Sequence, residues 1–283
     1  MTKKRMNEQE TVQYLIMEAI EEDCIINPKE IITYPPVALS LGEKLIKTKY
    51  GDMLMPIPIG TYGNFSFIQA PPKTKKTFLV SLLISVYLSD QNNFGGNIKG
   101  HRNNKQVLHF DTEQGKWHAQ KVFKRILDMN VEDYSKFYHT FGLRTISFKQ
   151  RLQFIEYCLE HKVQNTGLLI IDGIADLVSD VNNIEESNAC IQKIMEWSAN
   201  YNCHIITVIH SNYGSEKPTG HLGSFLEKKT ETQIQLEANT VNKDWITVKC
   251  KRSRGYSFET FSFKVNEIGL PIIIGDLYDP LKN

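Results

Sequence analysis

The chain has 283 residues, of which 41% are hydrophobic and 23% charged, and its formal net charge is +1 at pH 7. This composition is typical of a globular protein with either one large domain or one domain and an appendage. The near-neutral charge excludes a strongly basic nucleic-acid-binding tail, although it leaves room for a local basic patch.

Cysteine usage and hydropathy indicate a cytoplasmic protein. The five cysteines are Cys24, Cys158, Cys190, Cys203 and Cys250. Their odd number and the absence of a CxxC pair argue against a disulfide framework and against a zinc site, so we expect reduced thiols. The basic start, MTKKRMNEQE, is not followed by the apolar core of a signal peptide. The longest apolar run, over residues 79–88, is interrupted by Ser81 and Ser85, so we expect no membrane span.

The first sixty residues are predicted to form an N-terminal appendage. Apolar residues recur at helical spacing at Val12, Leu15, Ile16, Ala19 and Ile20. Asn7 and Glu10 have the spacing of a capping box, so a helix is predicted over residues 8–23. A proline-bearing, irregular stretch follows. We therefore expect a helix and linker over residues 1–60 and a main domain over residues 61–283.

Strands alternate with helices from residue 64 onwards. We predict strands over residues 64–69, 106–111, 143–148, 167–172 and 203–210. We predict helices over residues 77–88, from about residue 114, over 151–160 and over 185–200. This alternation indicates an α/β fold with a mostly parallel central sheet and helices on both faces. The later segments ETQIQLE, WITVKC and TFSFKV have no helices between them, so they predict antiparallel strands at the end of the sheet.

The stretch QAPPKTKKTF, residues 69–78, has the context of a phosphate-binding loop. It lies between a predicted strand and a predicted helix, whose N-terminus would face a phosphate. In such a loop Lys76 reaches the β- and γ-phosphates and the Thr77 hydroxyl binds magnesium. The predicted nucleotide-binding residues are Ala70, Pro71, Pro72, Lys73, Thr74, Lys75, Lys76 and Thr77. The alternative is a surface loop with three solvated lysines.

The two glycines of the usual pattern, G-x-x-x-x-G-K-[ST], are missing. Ala70 and Lys75 occupy their positions. A lysine in a left-handed conformation costs roughly 1–2 kcal/mol, which a domain of this size tolerates. Lys73 and Lys75 would also add positive charge beside a triphosphate. The departure therefore weakens the predicted site without excluding it.

Two acidic residues are placed to complete such a site. The run LLIID delivers Asp172 to the carboxyl end of a buried strand, where it can support magnesium. Gly173 follows it, so the glutamate that many ATPases carry there is missing. Glu113, in HFDTEQ, follows the second predicted strand and can activate water as a general base. The alternatives are a plain buried strand ending in Asp172 and a Glu113 that complements a helix dipole.

The order of these motifs resembles the RecA-like ATPases. The phosphate loop, D-T-E-Q, LLIID and the VIH that ends the fifth strand are most similar to the RepA/DnaB-type replicative helicases and the related RadA and KaiC group. The stretch PIGTYGNFSFIQAPPKTKKTF resembles RepA-like ATPases of bacterial mobilisable elements more closely still. The resemblance covers residues from about 60 to 265. It implies a RecA-like P-loop NTPase core that uses ATP and Mg²⁺.

The resemblance also implies roles for individual residues. Lys76 and Thr77 would contact phosphate and magnesium. Glu113 would polarise the attacking water, and Asp172 would support the metal. His210 stands where relatives place a polar sensor of the γ-phosphate; the alternative is a histidine that caps backbone groups at a strand end.

Two further segments resemble parts of these ATPases that contact other molecules. The loop SNYGSEKPTGHLGS, residues 211–224, resembles a mobile loop that contacts DNA, whereas the alternative is a connector. The segment KCKRSRGYS resembles the K-x-R-x-G hairpin that enters the ATP site of the neighbouring subunit. Arg252 and Arg254 are therefore candidate arginine fingers acting in trans. The alternative is a solvated basic turn.

Two functions remain open from the sequence. The first is an oligomeric ATPase that forms a ring such as a hexamer, binds single-stranded DNA, and serves as a helicase or helicase loader. It would work with replication or mobilisation proteins of a plasmid or mobile element. The second is a nucleotide-binding regulatory or scaffold protein with little or no turnover. Residues 1–60 are a candidate arm that packs on a neighbouring protomer.

Overall fold

The computed structural model describes residues 7–49, 51–90, 97–212 and 215–274. The chain divides into two compact units, Met1–Tyr34 and Pro35–Asn283. Within the described ranges, no helix combines the length and the apolar character needed to cross a membrane.

Helix α1 (Glu8–Cys24) is the helix of the first unit, and it confirms the predicted helix over residues 8–23. Its capping box is also present. The backbone N–H of Glu10 donates to the Asn7 side chain at 2.8 Å, and the backbone N–H of Asn7 donates to the Glu10 carboxylate at 2.8 Å. These bonds satisfy donors at the first turn that have no partner inside the helix.

The second unit contains the remaining helices and strands. In its first half these are β1 (Val37–Thr48), β2 (Gly51–Thr61), β3 (Phe65–Ala70), α2 (Lys76–Ser89), β4 (Ile98–Gly100), β5 (Gln106–Asp111), α3 (Lys116–Asp128) and β6 (Tyr138–Gly142). In its second half they are α4 (Phe148–Tyr157), β7 (Thr166–Asp172), α5 (Ile184–Asn200), β8 (His204–His210), α6 (Gly220–Lys229), β9 (Thr232–Ala238), β10 (Trp245–Ser253), β11 (Phe261–Val265) and β12 (Pro271–Ile274).

Nine of these strands form one sheet in the order β12-β11-β10-β9-β3-β8-β7-β5-β6. The strands from β9 to β6 pair in parallel, and β10, β11 and β12 add antiparallel pairs. Helices α2 and α3 pack on one face, and α4, α5 and α6 pack on the other. Strands β3 and β7 are buried along their whole length because both faces are covered. The predicted α/β fold is thus confirmed.

The irregular stretch predicted before residue 60 is wrong over β1 and β2. These two strands pair with each other, and β1 also pairs with β4, in a second sheet of order β2-β1-β4. Pro56 and Pro58 argued against a strand in the sequence. However, β2 is an edge strand, where a residue without an N–H group is tolerated. Both strands belong to the second compact unit, which begins at Pro35.

The strand predicted over residues 143–148 is also wrong. The parallel strand at that place is β6, and the predicted segment leads into α4. Ser147 and Gln150 form a capping box, in which the Gln150 N–H donates to the Ser147 hydroxyl at 3.4 Å and the Ser147 N–H donates to the Gln150 side chain at 3.0 Å. A helix start thus outweighs the β-propensity of the neighbouring residues.

The predicted DNA-contacting loop, residues 211–224, is shorter than expected because helix α6 begins at Gly220. Gly220 and Gly223 lower helix propensity and hid this helix from the sequence pattern. Residues 213 and 214 of the predicted loop lie outside the described residues.

Candidate functional site

The candidate site lies where the carboxyl ends of four parallel strands meet. In register, Ala70 of β3 is paired with His210 of β8, and Asp111 of β5 with Asp172 of β7. A cavity of about 370 Å³ opens at these strand ends, and Asp111, Asp172, His210 and residues 73–77 are among the residues that line it. In open parallel α/β sheets this edge is where ligands bind.

The loop between β3 and α2 contains left-handed backbone conformations, which glycine residues normally adopt in such a loop. Lys75 lies at φ 57° and Lys73 at φ 63°, both in the left-handed region. The predicted strained conformation of Lys75 is therefore confirmed. The buried hydroxyl of Thr74 donates to the Pro71 carbonyl at 2.5 Å and closes the turn. The Lys75 ammonium donates to the Asp244 carbonyl at 3.2 Å.

Helix α2 presents its N-terminus to this cavity. The first N–H groups of a helix have no partner inside it. In the part of the chain that the structure describes, no side chain caps this end of α2. The unpaired N–H groups and the positive end of the helix dipole together favour an anion such as phosphate.

Lys76 joins the loop to the opposite side of the cavity. Its ammonium lies 2.9 Å from Nδ1 of His210 and donates to the Pro71 carbonyl at 3.3 Å. An ammonium is only a donor, so Nδ1 of His210 accepts and the ring proton is on Nε2. Nε2 lies 3.5 Å from Oε1 of Glu113, which it faces as a donor. Burial lowers the pKa of Lys76, while Glu113 and Asp172 act in the opposite direction.

Glu113 is presented by a turn that Asp111 holds. The Asp111 carboxylate accepts the backbone N–H of Glu113 at 3.1 Å and that of Gln114 at 2.7 Å, and it also accepts the Gln114 side-chain amide at 2.7 Å. The Glu113 side chain remains 49% exposed. The hydrogen bond from His210 lowers the pKa of Glu113, assisted by Lys76 and opposed by burial. Glu113 is therefore ionised at neutral pH and able to accept a hydrogen bond from water.

Asp172 is buried, and among the described residues its Oδ2 has no hydrogen-bond partner. Burial raises its pKa to about 7, with further contributions from Asp111 and Glu113, whereas the nearby Thr77 hydroxyl and Lys76 lower it. A buried carboxylate oxygen without a partner is costly unless a cation or a proton satisfies it. Asp172 and Thr77 thus fit a magnesium ion.

Such an ion would need ligands from outside the chain. In the described ranges, no group of three or more His, Cys, Asp or Glu side chains is arranged to hold a metal by itself. Mg²⁺ commonly takes one or two protein ligands and completes its shell with phosphate oxygens and water. The residues present therefore suit magnesium bound together with a phosphate.

Sequence reasoning missed several residues of this region. Asp111 ends β5 just as Asp172 ends β7, so its position at a strand end was a usable signal. Arg125 gave no signal because a basic residue in the last turn of a helix, as Arg125 is in α3, is ordinary. Its guanidinium stacks on the Phe78 ring at 3.9 Å, and its NH1 is buried without a partner among the described residues. A neighbouring cleft of about 650 Å³ shares Phe78 and Arg125 and is also lined by Trp117 and Ile268.

The two candidate arginine fingers lie away from the loop of their own chain. Ser253, between them, is paired with Thr232, which is paired with Ser66 at the amino end of β3. The phosphate loop follows the carboxyl end of that strand. Arg252 is exposed, and the Arg254 guanidinium donates to the Lys229 carbonyl at 2.6 Å. The structure therefore brings Lys76, Thr77, Glu113, Asp172 and His210 together, but not Arg252 and Arg254.

Comparisons with known proteins agree with this architecture. The sequence matches the family described as AAA domain over residues 58–216. A comparison with curated protein sequences gives no match. The crystal structure of the RadB recombinase is similar at a TM-score of 0.52 and 15% identity, covering 76% of this chain and 92% of that one. The structure of a KaiC-like protein from Pyrococcus horikoshii OT3 is similar at a TM-score of 0.54 and 12% identity, covering 76% and 91%. At such identities the likeness shows a shared RecA-like fold.

Proposed function

The chain belongs to the AAA domain family, and we propose that it binds ATP with Mg²⁺ and hydrolyses it at the edge of the sheet described above. One observation carries the proposal. A single cavity holds an uncapped helix N-terminus with a lysine and, opposite, a buried carboxylate whose Oδ2 lacks a partner among the described residues. This pairing of an anion site with a cation site suits a metal-bound polyphosphate.

The roles of the chain's own residues follow from their positions. The N–H groups at the start of α2 and the Lys76 ammonium would bind the terminal phosphates. Asp172 and Thr77 would hold magnesium, which when bound supplies positive charge to the phosphate oxygens. Glu113 would orient the attacking water and accept its proton. His210 would contact both Lys76 and Glu113 and so fix the positions of these two side chains relative to each other.

The neighbouring cleft suits the nucleoside end of the same ligand. It adjoins the phosphate cavity through Phe78 and Arg125. Trp117 and Ile268 are 66% and 77% exposed and offer flat apolar surface for a base. Arg125, whose guanidinium stacks on Phe78, lines both cavities and adds positive charge where they meet. Trp117→Ala should therefore weaken ATP binding and leave binding of inorganic triphosphate unchanged.

An oligomer is part of the proposal because of where the arginines lie. Arg252 and Arg254 lie near the amino end of β3, whereas the phosphate loop of their own chain follows the carboxyl end of that strand. A role on phosphate thus requires a second copy. A mixing experiment tests this: a Glu113→Gln subunit carries intact arginines, and an Arg252→Ala/Arg254→Ala subunit carries an intact site. Mixing the two inactive variants should restore turnover, and a mixture that stays inactive rejects action in trans.

The proposed biological role is an ATPase that acts on single-stranded DNA as a ring, such as a hexamer, in the manner of a helicase or helicase loader of a mobile element. The motif order and its resemblance to RepA/DnaB-type ATPases support it. Helix α1 exposes Leu15, Ile16 and Ile20, which supports a role for residues 1–60 in packing on a neighbouring protomer. Removing residues 1–35 should then change the oligomeric state, measured by light scattering. An unchanged state would reject the arm.

A second candidate is a nucleotide-binding regulator or scaffold with negligible turnover. The two left-handed lysines of the loop favour it, because strain there can weaken phosphate binding. The deciding measurement is phosphate release with Mg²⁺ and ATP, with and without single-stranded DNA, beside Lys76→Ala and Glu113→Gln. Turnover that both substitutions abolish supports the ATPase. Thermal stabilisation by ATP without phosphate release supports the regulator, and no stabilisation rejects both.

A further inference from the structure

Gln69 is a fully buried amide in β3, one residue before the phosphate loop begins. Its Nε2 donates to the Ser211 hydroxyl at 3.1 Å and to the Glu216 carbonyl at 2.5 Å. Its Oε1 accepts from Nε2 of Gln233 at 2.7 Å. A buried amide is costly unless it is bonded in this way, so its three bonds define one orientation of the side chain.

These bonds fix the chain directly beyond His210. Ser211 follows His210, and its backbone N–H donates to the Ala70 carbonyl at 3.0 Å. Thr219 holds the His210 carbonyl with its N–H at 3.1 Å and its hydroxyl at 2.8 Å. Gln69 completes this arrangement, because it joins the Ser211 side chain to the strand that carries the phosphate loop.

The orientation of the His210 ring depends on that backbone. The ring is 38% exposed, so packing alone does not fix it. It must reach Lys76 with Nδ1 at 2.9 Å and Glu113 with Nε2 at 3.5 Å. A small rotation of the backbone at Ser211 would lengthen one of these contacts and weaken the link between the two charged side chains.

We propose that Gln69 is a positioning residue that sets the orientation of the His210 ring between Lys76 and Glu113, acting through Ser211. The proposal rests on the proposed ATPase function and names a residue of the same site that touches neither phosphate nor metal. Gln69 acts on turnover through His210 and not through the affinity for ATP.

Two nearby residues provide comparisons. The Lys251 ammonium also donates to the Glu216 carbonyl, at 2.7 Å, but among the described residues it has no hydrogen bond to Ser211. Gln235 is a buried amide on β9 whose Nε2 donates to Glu237 at 2.8 Å. Gln235→Met therefore removes a buried amide of the same kind from the same sheet without touching the chain next to His210.

The first experiment observes the ring directly. Imidazole ¹⁵N resonances of His210 are recorded by NMR for the wild-type protein, Gln69→Met and Gln235→Met, without nucleotide. The wild type and Gln235→Met should show the tautomer with the proton on Nε2, and Gln69→Met should show averaging of the two tautomers. Unchanged resonances in Gln69→Met, or equal changes in both variants, would overturn the proposal. If Gln69→Met does not fold, Ser211→Ala removes the same contact and is judged by the same criteria.

The second experiment measures turnover in a double-mutant cycle with His210→Ala. Gln69→Met should lower kcat about tenfold at an unchanged KM, as expected for the loss of about 1.4 kcal/mol of orientation. In the His210→Ala background the same substitution should change kcat less than about twofold. Additive losses would overturn the proposal. A wild-type protein without turnover would reject the proposed function, while the NMR result would still decide the role of Gln69.

Discussion

The two halves of the candidate site are built in different ways. In residues 70–77 the proposed phosphate contacts come largely from backbone N–H groups, together with the Lys76 ammonium, and two residues lie in the left-handed region. In the carboxylate half, around Glu113 and Asp172, the proposed contacts come from side chains, and neighbouring side chains hold the backbone that carries them. The Asp111 carboxylate, for example, accepts the backbone N–H of Glu113 at 3.1 Å and holds the turn that presents its side chain. A backbone site can keep its shape while its residue pattern changes, because the flanking strand and helix impose it.

The strongest test of the carboxylate half is Glu113→Gln. Loss of a general base lowers turnover by about 10²- to 10⁴-fold. ATP binding should persist, since the phosphate contacts come from the other half. Turnover is measured by phosphate release and binding by calorimetry. Glu185→Gln, an exposed acid in the first turn of α5, is the matched control and should retain full activity.

The pH dependence of metal binding tests Asp172. Burial raises its pKa to about 7, so the carboxyl is largely protonated at pH 6 and largely ionised at pH 8. Magnesium binds the ionised form, so the affinity for Mg·ATP should rise about tenfold across this range. Asp172→Asn should remove the rise. A flat wild-type profile would contradict the assignment.

The Asp172 carboxyl also makes the free energy of unfolding depend on pH, and its raised pKa gives the direction of that dependence. Its folded-state pKa lies above its unfolded value, so the folded protein holds the proton more tightly. The free energy of unfolding without nucleotide should therefore fall as pH rises from about 4 to about 7, by a few kcal/mol at most. Urea unfolding of wild type and Asp172→Asn at several pH values measures this, and equal slopes for both proteins would contradict it.

The smallest expected effect is the change in the free energy of unfolding when Lys75 of the phosphate loop is replaced. Lys75→Gly should raise the free energy of unfolding by up to about 1 kcal/mol, because glycine relieves the left-handed strain but adds entropy to the unfolded chain. Lys121→Gly, in the interior of α3, should instead lower it by about 1 kcal/mol. Urea unfolding compares the two. A lower stability for Lys75→Gly would mean that the bond from Lys75 to Asp244 outweighs the strain.

The large parallel sheet was predictable because its signals are local and repeated. Apolar runs of strand length alternate with helical patterns, and the strand ends then carry the acidic residues. The prediction failed where a local rule was overridden. Pro56 and Pro58 suit an edge strand, which no sequence window reveals, and a capping box at Ser147 displaced a predicted strand.

The part of the candidate site that was predictable consists of charged residues at or shortly after the ends of predicted strands. Lys76, Glu113 and Asp172 come together as expected from the ends of their strands. The contacts of Gln69 could not be predicted, because its partner Ser211 lies 142 positions away and a glutamine in an apolar strand carries no pattern. Nor could the left-handed Lys73 be foreseen, since a second strained residue follows from the packing of the whole turn.

The central place of β3 has a consequence for how the protein folds. Its two neighbours, β8 and β9, come from the later part of the chain, so β3 remains unpaired in the sheet until most of the second unit has been synthesised. Such distant parallel pairing is slow to form and leaves an apolar strand exposed in the meantime. The candidate site is then among the later parts to assemble, because His210 joins Lys76, Glu113 and Asp172 only when β8 has paired with β3 and β7.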